Sequence, residues 1–189
     1  MKQVNRCRWA SANPVFFEYH DEEWGVPVHD DRKHFEYMLL DAFQAGLSWL
    51  TILRKRENFR KAFDDFDYAR IAAYGNEKFD ELLNDPGIIR NKLKIKAAVN
   101  NAQRFMEVID EWGSFDKYIW HFTDHQTLVN HFESMDEVPA KTDLSDRISR
   151  DLKKRGFSFV GSTIIYAYLQ AMGMVNDHTT DCFRHAELT

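Results

Sequence analysis

Apolar residues recur along this chain at helical spacing almost from end to end. Leu93, Ala97, Ala102, Phe105, Met106, Ile109 and Trp112 trace one face of a long segment, and Leu144, Ile148 and Leu152 trace one face of a shorter one. The strict alternation that a half-buried strand needs is scarce, so the expected class is all-α. Short polar side chains able to accept hydrogen bonds from free amides mark helix starts at Asp31, Ser48, Asp67 and Asn76. Glycines at 46, 75, 87, 113 and 173 fall where helices should stop. The segment 162–172, STIIYAYLQAM, is apolar or small on nearly every side, which predicts a helix at the centre of the core.

No repeat, proline-rich linker or low-complexity tract divides the chain, so residues 1–189 are expected to form one domain. A fold of two helical lobes around one cleft, with the first and last segments meeting, remains open. At 44% hydrophobic and 14% aromatic residues there is enough apolar surface for a substantial core. No uninterrupted apolar run reaches the roughly 20 residues of a membrane helix, and the start MKQVNRCRWASANP lacks a signal-peptide apolar stretch. A cytoplasmic location with no membrane partner is expected. No heptad seam calls for a coiled-coil partner, and a monomer is the starting expectation.

The formal net charge of −5 weighs against a phosphate-rich partner, but the cations are bunched. They cluster at Arg54, Lys55, Arg56, Arg60 and Lys61, at Arg90, Lys92, Lys94 and Lys96, and at Lys153, Lys154 and Arg155. Taken singly, each run reads as a solvated helix face. The two cysteines cannot form a disulfide framework, and a reducing compartment would keep them as thiols or metal ligands. Cys7 and His20 lie near one end, while His178 and Cys182, one helical turn apart, lie near the other. Two thiolates and two imidazoles make the closed set of a structural zinc site. Spacing alone leaves two readings open, a metal site or unrelated thiols and surface histidines. His121 and His125 show the same four-residue spacing with nothing converging on them, and they are read with His131 as surface groups.

The segment LKKRGFSFVGSTIIYAYLQAMG at 152–173 reads as the end of one helix, a tight turn from Gly156 to Gly161, and a second helix from Ser162. Its glycines can expose successive amides to a phosphate, flanked by cations, although an ordinary helix–turn–helix connection looks much the same. This hairpin, with VNDH at 175–178, resembles the helix-hairpin-helix DNA glycosylases. The chain most closely resembles the 3-methyladenine DNA glycosylase I family, through CRWASANPVFFEYHDEEWGVP at 7–27, QAGLSWLTILRKRENFRKAF at 44–63, GIIRNKLKI at 87–95 and KKRGFSFVGSTIIYAYLQAMGMVNDH at 153–178.

The resemblance covers nearly the whole chain. It implies an all-helical glycosylase fold, a double-stranded DNA substrate carrying alkylated bases, and one structural zinc on Cys7, His20, His178 and Cys182 that joins the two terminal segments. It also implies a base pocket walled by Trp9, Phe16, Tyr19, Trp24 and Trp49, residues that spacing by itself would assign to the core. Leu47 matches the family's wedge, and Lys153, Lys154, Arg155, Gly156 and Gly161 match the DNA-binding hairpin. Asp41, with Tyr19, falls at the catalytic position.

Many family members carry Glu where this chain has Asp41. One methylene fewer shortens its reach by about 1.5 Å, so a direct contact can become water-mediated. Asn176 stands where the wider superfamily has a catalytic aspartate, leaving hydrolysis by direct water attack with no lysine intermediate and no strand cutting. Lysines are expected on phosphates, and Asp177 is expected to orient the metal-binding histidine. The rivals are a non-catalytic, zinc-stabilised helical DNA-binding module and a metallohydrolase.

Overall fold

The computed structural model describes residues 4–189, which form ten α-helices joined by short irregular segments. Helix α1 (Val15–Glu18) runs directly into a π-helical turn at Tyr19–Glu23. It is followed by α2 (Asp31–Gln44), α3 (Trp49–Ala62), α4 (Tyr68–Ala72), α5 (Asn76–Asn84) and α6 (Lys92–Trp112). Then come α7 (Phe115–Trp120), α8 (Asp143–Lys154), α9 (Ser162–Ala171) and α10 (Phe183–Glu187). Among the described residues, extended backbone pairs only once: β1 (Leu128–Val129) lies parallel to β2 (Val175–Asn176), with Leu128 opposite Val175.

Two of the expected helix starts hold and two move by one residue. Ser48 accepts from the Thr51 amide, and Asp67 from those of Ala69 and Arg70. Helix α2 is capped by Asp30, which accepts from the Lys33 amide at 2.8 Å, and not by Asp31. Asp31 is taken by a tertiary contact instead, accepting from the amides of Phe115 and Asp116 at the start of α7. The cap of α5 is Gly75, so this glycine opens a helix where it was expected to close one, and Asn76 is the first helical residue.

The centre of the core is shared by α2, buried at every position from His34 to Phe43, and the expected segment α9, which packs against it. Helix α6 keeps most of the expected face, with Ala97, Ala102 and Phe105 buried and Ile109 and Trp112 packed against the core, and shifts the rest. Its buried side carries Ile95, Ala98, Ala102, Phe105 and Val108 together with Lys94 and Asn101, whereas Leu93 is 68% exposed and Met106 38%. The two buried polar side chains find tertiary partners that periodicity cannot register.

Helices α8 and α9 form the expected hairpin. Two hydrogen bonds close α8: the Phe157 amide donates to the Leu152 carbonyl, and the Gly156 amide to that of Lys153, both at 3.0 Å. This Schellman arrangement needs a left-handed residue, supplied by Gly156 at φ +88°, and it buries Phe157 against the helix it ends. Asn101 of α6 then grips the turn through both ends of its amide, accepting from the Ser158 N–H at 2.8 Å and donating to the Ser158 carbonyl at 2.9 Å.

Gly173 combines φ +67° with a backbone approach so close that a Cβ would lie 2.4 Å from Val26 and Pro27. At Gly156 the nearest obstacle is the flexible Arg104 side chain at 3.2 Å. Urea denaturation should therefore show Gly156→Ala costing about 1–2 kcal/mol, the left-handed penalty alone, and Gly173→Ala costing more than about 4 kcal/mol.

Candidate active site and metal cluster

Cys7, His20, His178 and Cys182 meet in the interior, all four buried, with their ligand atoms within 4.8 Å of one another. His20 comes from the π-helical turn, His178 from the segment after β2, and Cys182 from the cap of α10. Each imidazole is held from outside the cluster. His20 Nδ1 pairs with Asp21 at 2.8 Å, Asp21 is in turn gripped by Arg6, and His178 Nε2 donates to the Trp24 carbonyl at 2.9 Å. The other ring nitrogens face sulfur, with 3.5 Å separating Cys7 Sγ from His178 Nδ1 and Cys182 Sγ from both His20 Nε2 and His178 Nδ1.

A tetrahedral zinc with ordinary bond lengths has sulfur–nitrogen edges of about 3.6 Å, which these three distances match, so the donor set suits that ion. Four protein ligands would leave no open position for a water. Hydrogen bonding from Cys7 and then from the two imidazoles pushes the Cys182 thiol far down, towards the thiolate that a metal would require.

Asp177 does not orient His178. It is buried elsewhere, accepting from Tyr166 Oη, Gln170 Nε2 and Asn130 Nδ2. His125 and His131 are exposed as expected, but His121 is half-buried, stacked on Trp112 at 4.6 Å.

Next to the Cys/His cluster lies a cavity of about 300 Å³. Trp9, Tyr19, Trp24 and Trp49 form its walls, and Asp41 of α2 reaches it from the core. Trp9 meets Trp24 edge-on at 5.1 Å, and Tyr19 lies 5.4 Å from Trp49. Phe16 is the exception among the expected wall residues. It stands behind Trp9, edge-on at 5.5 Å, and does not line the cavity.

The sequence pattern did not reveal Gln44, Met135, Ala167 and Gln170, which complete the lining. Gln44 follows Asp41 by three residues on the same helical face and was legible by spacing. The others arrive from remote segments with no local signal.

Asp41 is only 4% exposed, and among the described residues its Oδ2 has no hydrogen-bond partner; the Trp49 indole Nε1 is likewise unpaired there. Burial pushes the Asp41 carboxyl well above the usual range, which favours the protonated acid. Burial and then the Asp41 charge push the Tyr19 phenol up, keeping it neutral. Behind these walls Tyr37 stacks on both Tyr19 and Trp49 and donates to Glu23 at 2.6 Å. Arg56 grips Glu23 through two nitrogens and Glu36 through a third. Burial alone would raise the Glu23 carboxyl, but the Arg56 and Tyr37 hydrogen bonds hold it at about 2. Part of the first basic run is thus internal scaffolding, not a solvated face.

Leu47 is 41% exposed on the turn between α2 and α3, where Gly46 adopts φ +77°. At the hairpin, Lys153 and Lys154 are exposed, and Gly161 caps α9 with no side-chain acceptor for its first amides. Arg155 is engaged within the protein. It pairs with Glu111 at 2.7 Å and Asp151 at 2.8 Å and lies over the Tyr118 ring, which ties the hairpin to α6 and α7. Lys94, expected at a phosphate, turns inward and is buried. Asn176 is also buried, donating to the His185 carbonyl and accepting from the His178 amide.

A model of the methyladenine glycosylase family matches residues 9–185. The chain is 45% identical to DNA-3-methyladenine glycosylase 1 of Escherichia coli (strain K12), covering 95% of this chain and 96% of that protein. It is 42% identical to the DNA-3-methyladenine glycosylase of Haemophilus influenzae, covering 95% and 97%. A crystal structure of 3-methyladenine DNA glycosylase I superposes with a TM-score of 0.90 at 47% identity, covering 95% and 98% of the two chains. A Tyr-to-Phe variant of 3-methyladenine DNA glycosylase I in complex with 3-methyladenine superposes with a TM-score of 0.91 at 33% identity, covering 95% and 97%. By sequence along nearly its full length and by fold, this chain belongs to the methyladenine glycosylase family.

Proposed function

We propose that this protein is a monofunctional DNA-3-methyladenine glycosylase, a cytoplasmic, monomeric, single-domain base-excision repair enzyme of the helix-hairpin-helix type acting on alkylated double-stranded DNA. The observation that carries this reading is a buried acid on the lining of an aromatic cavity, one of whose oxygens has no partner among the described residues. Leaving a buried acceptor unmade is costly, and a buried carboxylate ionises at the expense of its hydration. A methylated purine nucleotide brings both remedies at once, an amino group that donates and a positive charge that stabilises the ionised acid. The electron-rich faces of the Trp and Tyr walls attract the same cation. Ordinary adenine offers no charge, so Asp41 keeps its proton and the neutral base gains less.

In the proposed reaction Lys153, Lys154 and the first amides of α9 hold the phosphates, and Leu47 fills the space left by the rotated nucleotide. Asp41 and Tyr19 hold the base while the bond from its ring nitrogen to the sugar C1′ breaks. The bonding pair goes to the cationic base, which leaves neutral. Water adds to the oxocarbenium-like C1′ and releases its proton to solvent. No lysine attacks the sugar, and Asn176 is engaged in the fold.

Cys7, His20, His178 and Cys182 would hold one zinc, whose contribution is to fasten the terminal segments together. Bound there, the ion closes a very long loop and thereby fixes Trp9 and Trp24 at the cavity. Metal analysis should find about one zinc per chain, and stripping it should lower the melting temperature by about 10 °C or more. A metal-free protein of equal stability refutes this assignment.

Incubation with methylated duplex DNA should release 3-methyladenine and leave both strands uncut until the abasic sites are cleaved chemically. Folded, zinc-loaded protein that binds such DNA without releasing a base would make it a binding module instead. Asp41→Asn should reduce excision by about 100-fold while making the protein more stable at pH 7. A carboxyl whose folded-state pKa is raised above its unfolded value costs stability as pH climbs between the two, because the unfolded chain gives up its proton first. The amide does not titrate, so the variant should melt higher by roughly 2–4 °C for each kcal/mol released, with the gain fading towards pH 4.

A further inference from the structure

Lys94 is the only lysine buried among the described residues, at 6% exposure. It sits in the first turn of α6, yet its side chain crosses to the end of α2, where the ammonium donates to the Phe43 carbonyl at 2.8 Å and the Ala45 carbonyl at 2.6 Å. The last carbonyls of a helix have no partner within it and carry the negative end of its dipole, so a cation there closes the helix and satisfies two orphan acceptors.

The wedge turn begins directly at this end of α2. The Leu47 amide donates to the Gln44 carbonyl at 2.6 Å, and Ser48 then caps α3. The tip is otherwise open, since nothing lies within 4 Å of where a Cβ on Gly46 would stand. A neutral side chain could fill the space under Ala45 more cheaply than a desolvated ammonium, whose pKa is lowered by its burial. Only a donor bonding both carbonyls also fixes their direction.

We infer that Lys94 is a positioning residue for base flipping, anchoring the 45–48 turn so that Leu47 enters the duplex at the level of the cavity. The inference rests on the glycosylase reading and on Leu47 as the wedge. Rotating a nucleotide out of the stack costs a few kcal/mol, and the stacked bases push back on whatever replaces it. A wedge on a loose turn yields instead of displacing the base. Lys94 makes the start of α6 a backstop for that turn, while Asp41 and Gln44, on the same helix end, face the cavity.

The test compares Lys94→Met, Leu47→Ala and the double variant for single-turnover release of 3-methyladenine from duplex DNA, alongside binding of the free base followed by tryptophan fluorescence. Lys94→Met should slow excision by about 10- to 100-fold, as a misplaced positioning group does. Free-base affinity should stay within about two-fold, because Lys94 does not line the cavity, and in the Leu47→Ala background the second substitution should cost less than about two-fold, since it acts through Leu47.

Independent multiplication of the two effects, wild-type excision by Lys94→Met, or a parallel loss of free-base binding overturns the inference. If Lys94→Met does not fold, Lys94→Gln, which keeps one donor, is read by the same criteria. Wild-type protein unable to release the base would sink the glycosylase reading itself, whereas active wild-type with an indifferent Lys94 variant sinks only the anchor.

Discussion

A carboxylate oxygen with no partner, held inside a ring of aromatic side chains, is the constraint around which this fold is arranged. Asp41 lies on α2, the most continuously buried helix of the core, so it cannot swing out to water to relieve its own desolvation. The walls are equally fixed. Tyr19 and Trp49 are backed by Tyr37, which is pinned through Glu23 to Arg56, and Arg56 also engages Glu36. Each polar group in that backing layer is satisfied by another, and the unmet valence is left at the cavity. A stable protein tolerates such a point when a ligand is to complete it.

The terminal segments close the same cavity from the other side. Trp9 follows Cys7 closely and Trp24 follows His20, so any ion held by the four buried ligands would fix both tryptophans as well as the ends of the chain. His178 donates to the carbonyl of Trp24 itself, which couples cluster and wall through one hydrogen bond. Gly173 lets the chain pass against Val26 and Pro27 on its way to the cluster, and Asp177 holds Gln170 at the lining. The short stretch from Gln170 to His178 thus serves cavity, packing and cluster together.

Charge is used in the same economical way. A chain with net charge −5 commits several of its cations to contacts within the protein: Arg56 inside an ion-pair layer, Arg155 bridging the hairpin to α6, and Lys94 closing α2. Lys153 and Lys154 are left exposed beside the uncapped start of α9, where a backbone phosphate would gain most from them. Overall charge and local potential therefore point in opposite directions, and the local one bears on nucleic acid.

The sequence by itself determined the helical class, the starts of α3 and α4, the α8–α9 hairpin, the four cluster residues and most of the cavity wall. These features are local in period or carried by long ordered motifs with rare residue types. Only the tertiary structure decided that α6 exposes Leu93 and Met106, that Asp30 caps α2 while Asp31 serves α7, that Phe16 stands behind the wall, that Lys94 faces inward and that Arg155 is held in ion pairs. It also decided that Met135, Ala167 and Gln170 complete the cavity. The physical reason is the same in each case. A side chain's role is set by the free energy of its contacts, and where partners lie far along the chain, as Lys94 does from Ala45 or Arg155 from Glu111, neither spacing nor residue type registers them.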